Sequence, residues 1–257
     1  MAKKLIALFL VAVMVFPLCG CGNSAIKNAQ TAISEIGEVT SDSGEAIANA
    51  EKLFSILTDS EKSKVKNRLE LVEAREAYDA INKKVIYSNA KEAYDKITEV
   101  AELCIDGMDD IYGAWYYGIY KASDHSSYQA EYLADEVPDF TSSDIEAAMS
   151  ALGYSDGNLR YSWEKSVYVI EHCLDVGGVY DALDSLLAES LSILSELTEK
   201  YDDYEFYPKL KEYYAKVSSY AEFFKSPTGS FDQLADTIND YENNIRTYQT
   251  DCGFLFS

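Results

Sequence analysis

Residues 94–115 read Tyr-Asp-Lys-Ile-Thr-Glu-Val-Ala-Glu-Leu-Cys-Ile-Asp-Gly-Met-Asp-Asp-Ile-Tyr-Gly-Ala-Trp. Tyr94, Ile97, Ala101, Cys104, Met108, Ile111 and Trp115 recur at alternating spacings of three and four, which places them on one helical face and describes the seam of a helical bundle. The same rhythm extends toward the C-terminus. It runs through Trp163, Val167, Ile170 and Leu174, then Tyr180, Leu183, Leu187, Leu194, Leu197 and Tyr201. It resumes with Leu210, Tyr214, Val217, Ala221 and Phe224, and closes with Phe231, Leu234, Ile238, Tyr241, Ile245, Tyr248, Cys252 and Leu255. Gly177-Gly178, the 202–208 segment and Ser226-Pro-Thr-Gly229 punctuate these helices. Residues 122–142 are the least regular part, with a short helix expected around Tyr128–Val137. Ser143-Asp-Ile-Glu146 reads as a capping box for a helix that stops at Gly153, and Tyr154-Ser-Asp-Gly-Asn158 as a turn. Ser230 to Gln233 reads as the cap of the last helix.

Toward the N-terminus, Asn67 reads as the cap of a helix whose apolar face is Leu71, Ala74, Tyr78, Ile81 and Val85. Thr58-Asp-Ser-Glu61 is a capping box, and Ala46, Ile47, Ala50, Phe54 and Leu57 share a helical face. Residues 22–32 are small and polar, suited to a tether or a frayed first helix. No alternation of period two has useful length. The expected fold is all-α: an elongated helical bundle with a small three-helix module over 33–85 and a larger bundle over 86–257.

Composition narrows the functional classes. The chain carries 22 basic against 44 acidic residues, a net charge of −22. That excess argues against nucleic acid and against a polybasic grip on anionic lipid. At 47% apolar and 13% aromatic, the chain has enough material for a substantial core rather than disorder.

The N-terminus carries an address. Lys3 and Lys4 precede an apolar run from Leu5 to Phe16, followed by Pro17-Leu18-Cys19-Gly20-Cys21. The run is too short to span a bilayer and has the layout of an export signal. Its end, Leu18-Cys19-Gly20-Cys21, resembles a bacterial lipobox. The resemblance implies removal of residues 1–20, diacylglycerol on the Cys21 sulfur and a new, often acylated (palmitate-type) amino terminus. Cys19 is the poorer acceptor, because Phe16-Pro17-Leu18 puts a bulky residue where a small one is required. Two acyl chains of a diacylglycerol anchor stably where one binds only marginally. The expected location is the extracytoplasmic face of the cell membrane, with residues 21–32 as the tether.

A second resemblance lies in Ile36-Gly37-Glu38-Val39-Thr40, Ser43, Ala46-Ile47, Ala50, Phe54, Leu57-Thr58, Lys62, Val65, Asn67, Leu71 and Ala74. This pattern resembles the FIVAR-type helical module of Gram-positive surface proteins over about residues 33–78, with Phe54 in place of the usual tyrosine. It implies a small three-helix unit outside the cell that serves as a spacer or as an appendage to a binding domain. The family carries no catalytic residues to transfer. Only one copy is present.

Candidate chemistry is thin. His125 and His172 are the only histidines, so the paired-histidine helix of zinc proteases is absent, as are nucleophile-elbow, phosphate-loop and dinucleotide motifs. Glu171, His172 and Asp175 read as an ordinary helical stretch rather than a cation site. Asp106, Asp109 and Asp110, and the loop acids Asp202, Asp203 and Glu205, lack the glycine-registered spacing of a calcium loop and read as solvated surface. Cys104, Cys173 and Cys252 read as small core hydrophobes, with a helix-to-helix disulfide as the alternative. No metal or cofactor is implied.

The tyrosines are the remaining signal. Trp115 continues the seam, whereas Tyr116 and Tyr117 lie about 100° and 200° further round the helix. Trp115 is therefore expected inside. Tyr116, Tyr117 and Tyr120, with Tyr204 and Tyr207, are candidates for a ligand surface suited to sugars or peptides. The expected function is a non-catalytic, lipid-anchored surface protein that acts as an interaction or binding scaffold for an unidentified extracellular protein, peptide or glycan. A glycan- or small-ligand-binding lipoprotein associated with uptake is the alternative, and an enzyme a distant third.

Overall fold

A computed structural model describes residues 22–201, 204 and 206–256. The expected signal, the lipobox-like stretch and the expected lipid acceptor Cys21 lie outside the described residues, as do Asp202, Asp203 and Glu205. The elements, in chain order, are α1 (Gly22–Glu35), α2 (Gly44–Ser55), α3 (Asp59–Lys62) and α4 (Arg68–Tyr116), then a π-helical turn (Tyr117–Lys121) and a 3-10 turn (Ala122–Asp124). They continue with α5 (Gln129–Ala134), α6 (Ser142–Ala151), α7 (Asp156–Arg160), α8 (Trp163–Val176), α9 (Val179–Tyr201), α10 (Phe206–Lys225) and α11 (Phe231–Gly253). No strand occurs among the described residues, so the fold is all-α. None of the described helices is long and apolar enough to cross a membrane.

The chain divides into two compact units, one up to Lys84 and the other from Val85 onward. The first unit closes over Ile26, Ala29, Ile33, Ile47, Ala50, Leu57, Val65, Leu71 and Ala74. Residues 22–32 form the body of α1, because Ile26, Ala29 and Ala32 recur at three-residue spacing and are buried. Thr58 and Glu61 cap α3 reciprocally: the Thr58 amide and hydroxyl both donate to the Glu61 carboxylate, at 2.9 and 2.7 Å. Asn67 does not cap α4 with its side chain. Its Nδ2 instead donates to the Gln30 carbonyl and the Ser34 hydroxyl of α1 at 3.0 and 3.1 Å. A two-pronged Arg75–Glu51 pair, at 2.7 and 2.6 Å, joins α4 to α2.

In the second unit, α4 meets α8, α9, α10 and α11. Gly107 admits Phe224 of α10 and Leu174 of α8, while Gly118, in the π-helical turn, packs so tightly that a Cβ there would lie 2.6 Å from the Trp163 Cα. Tyr94 donates to the Gln249 carbonyl of α11 at 3.2 Å, and Lys96 pairs with Glu189 of α9 at 2.6 Å. Helix ends follow local chemistry. The α6 box is Thr141 with Asp144, two residues earlier than the Ser143–Glu146 pair suggests, because Thr141 is the residue with extended backbone angles. Gly153 takes a left-handed conformation (φ 69°) and the Tyr154 amide reaches back to the Met149 carbonyl, ending α6 in a Schellman motif. The expected turn at 154–158 is instead the start of α7, capped by Ser155 and Asn158. Gly178, also left-handed (φ 75°), separates α8 from α9. Pro208 sits inside the first turn of α10, where a missing amide donor costs nothing, so the helix starts before it.

Candidate binding surface

Tyr112, Tyr116 and Tyr120 are four residues apart, a spacing that stacks side chains along one helix face. Their common neighbour is Phe231, the first residue of α11, held there by the Ser230–Gln233 capping box. Tyr112 stacks on Phe231 at 4.8 Å, Tyr120 meets it edge-on at 5.7 Å, and Tyr116 lies 6.3 Å from it and 5.2 Å from Tyr120. Tyr120 is 53% exposed, and Tyr116 and Phe231 are half-buried. Lys121 lies 5.7 Å over the Tyr116 ring and pairs with Glu136 at 2.6 Å. Hydrogen bonding to Glu136 holds the Lys121 ammonium above its ordinary pKa. The result is an aromatic ledge with a fixed donor and acceptor beside it. Such a surface can stack the apolar face of a sugar or peptide ring and hydrogen-bond its polar edge.

Of the expected surface tyrosines, only Tyr116 and Tyr120 meet here. Tyr117 is fully buried and donates its hydroxyl to Gln129 Oε1, while Gln129 Nε2 donates to the Ala122 carbonyl at 3.1 Å. It is a core residue, not a ligand contact. The physical reason is that the chain here forms a π-helical turn and is covered on more than one side, so distance from the seam no longer means exposure. Trp115 is buried and stacks on Trp163 with centroids 4.6 Å apart and planes 7° from parallel. Tyr204 is half-buried and packs against Phe206 at 5.4 Å. Tyr207 hydrogen-bonds the Thr198 hydroxyl and lines an open groove of about 640 Å³ between α9 and α10, with Leu191, Leu194 and Tyr214. The five residues therefore do not form a single surface.

The acids also separate. Asp106 and Asp109 are exposed, but Asp110 is fully buried, contrary to its reading as solvated surface. Its Oδ1 accepts the Asp139 amide at 3.3 Å and its Oδ2 has no hydrogen-bond partner among the described residues. Burial pushes its carboxyl up to about 7. The three cysteines are buried, unpaired thiols. Burial raises Cys104 to about 12 and Cys173 and Cys252 to about 11, so they behave as inert core side chains. His125 stacks on Tyr132, and no cluster of three potential metal ligands occurs among the described residues.

Phe231 is the ledge residue that the sequence reading passed over, since its place on the α11 seam marked it as ordinary core. The four-residue spacing of Tyr112, Tyr116 and Tyr120 was the available signal for the rest. No protein-family model matches the chain, and no curated protein or solved structure is significantly similar to it.

Proposed function

We propose that this chain is a non-catalytic, lipid-anchored protein of the extracytoplasmic membrane face whose second unit binds an extracellular partner or ligand. The observation that carries the binding role is the ledge of Tyr116, Tyr120 and Phe231 beside the Lys121–Glu136 pair. Rings held half in water at fixed spacing offer contact area at low entropic cost. Attachment through Cys21 rests on Leu18-Cys19-Gly20-Cys21, and the FIVAR-like stretch 33–78 supports a spacer role for the first unit. The second reading, a glycan- or small-ligand-binding lipoprotein that serves uptake, is favoured by the α9–α10 groove lined with Tyr207 and Tyr214.

The experiment is a thermal-shift screen of the chain against glycans and peptides, with Tyr120→Ala and Tyr207→Ala in parallel. A ligand raises the melting temperature by mass action. Loss of that shift in Tyr120→Ala, with the unliganded melting temperature unchanged, supports the ledge. Loss in Tyr207→Ala alone supports the groove. Shifts retained in both variants count against both surfaces.

A further inference from the structure

We propose that Asp110 is a proton-binding site whose ionisation loosens the connection 135–141 from α4. This connection joins α5 to α6 and is held at four places to α4 and the π-helical turn that follows it. Lys121 pairs with Glu136. The Glu136 carbonyl lies against Gly113, in space that any Cβ there would occupy. Val137 is fully buried. The Asp139 amide donates to Asp110 Oδ1. The last of these fastenings is the one whose titratable group is fully buried.

Among the described residues, the groups that act on Asp110 include no cation to balance a negative charge. On α4 itself, Asp106 and Asp109 act on it, and from the connection Asp139 does; all three are acids. From α8 the facing group is the Cys173 thiol, which donates to the Asp144 carbonyl of α6 at 3.9 Å. The cations that act on neighbouring groups are engaged elsewhere. Arg246 of α11 acts on Asp109 and pairs with Glu242. Lys225 of α10 acts on Cys104 and pairs with Asp184. Lys121 pairs with Glu136. An ionised Asp110 is thus a buried carboxylate with one hydrogen bond, one unpartnered oxygen and three like charges around it. Burial of an unpaired charge is far costlier than burial of a neutral carboxyl. A short, non-helical segment is the covering most readily displaced to let water in.

The direction of the pH effect follows from linkage. With the connection closed, the carboxyl titrates at about 7, against an ordinary value of 3.8. Opening restores the ordinary value. The opening equilibrium is therefore flat below about pH 4, grows about tenfold per pH unit up to about pH 7, and is flat again above that. Asp110→Asn keeps an oxygen for the Asp139 amide but cannot ionise.

Hydrogen exchange of the 135–141 amides, corrected for the intrinsic pH dependence of exchange, tests this on the full chain and on Asp110→Asn between pH 5 and 8.5. The expected result is exchange that rises about tenfold per pH unit from 5 to 7 and levels off above about 8 in the unaltered chain, with a flat profile in Asp110→Asn. The same pH dependence in both proteins, or none in either, overturns the proposal. Carbon-13 spectra of aspartate carboxyls in the unaltered chain provide a readout that does not depend on the variant. One carboxyl titrating near pH 7 supports the site, and all of them titrating below about pH 5 overturns it.

Discussion

Trp115 and Tyr117 are two residues apart and both buried, yet they hold the second unit together by different means. Trp115 contributes apolar area and a parallel stack on Trp163, so Trp115→Ala is expected to cost about 3–5 kcal/mol in chemical denaturation, as for other large core aromatics. Tyr117→Phe keeps the ring but removes the donor to Gln129, leaving a buried amide oxygen unpaired at a cost of about 1–3 kcal/mol. A loss below a few tenths of a kcal/mol would mean that the Gln129 network does not contribute. Asp110 adds a pH dependence to global stability. Because its folded pKa is raised, its contribution is fully present below the unfolded value and is lost as pH rises through the folded one. The loss is of order 4 kcal/mol between about pH 4 and 7. Glu171 and Glu242, also raised by burial, act in the same direction. Asp110→Asn should flatten the curve of denaturation midpoint against pH over this range, and an unchanged curve would show that Asp110 is not the group responsible.

At the scale of the element, much was legible, and the two misread burials share a cause. The three-four rhythm from Tyr94 to Trp115 identified a bundle helix, and it is the second half of a helix that runs from Arg68 to Tyr116. A seam, however, presumes a partner on one side. Around residues 107–113, α8, α10 and the 135–141 connection meet α4, and α5 meets Tyr117 through Gln129, so Asp110 and Tyr117 are buried off the seam. The π-helical turn at Tyr117–Lys121 carries no residue signature that a period of 3.6 would reveal. Capping boxes were readable as composition but not always as position. For α6, both Thr141–Asp144 and Ser143–Glu146 have suitable residues, and backbone geometry selects the first. Thr141→Ala should therefore cost about 1 kcal/mol and Ser143→Ala much less. The reverse order, measured by urea denaturation, would move the cap to Ser143.

For the whole molecule, two separate cores make the two units experimentally distinguishable. Both tryptophans belong to the second unit, stacked on one another. Ile47, in contrast, is fully buried in the first. Ile47→Ala should destabilise the first unit by about 2–5 kcal/mol while leaving the tryptophan fluorescence and its unfolding midpoint nearly unchanged. An equal shift in both would show that the units unfold as one. The chain's excess of acid and its sparse chemical motifs limit what sequence can say about a ligand, since half-buried tyrosines look the same whether they fill a core or face a partner. Its location is the more readable property, and the proposed role depends on it. Lipid labelling in a bacterial host, of the full chain and of Cys21→Ala and Cys19→Ala, tests that dependence most directly. The account predicts label and detergent-phase partitioning for the unaltered chain and for Cys19→Ala, and loss of both in Cys21→Ala. Label that persists in Cys21→Ala, or that never appears in the unaltered chain, would contradict it.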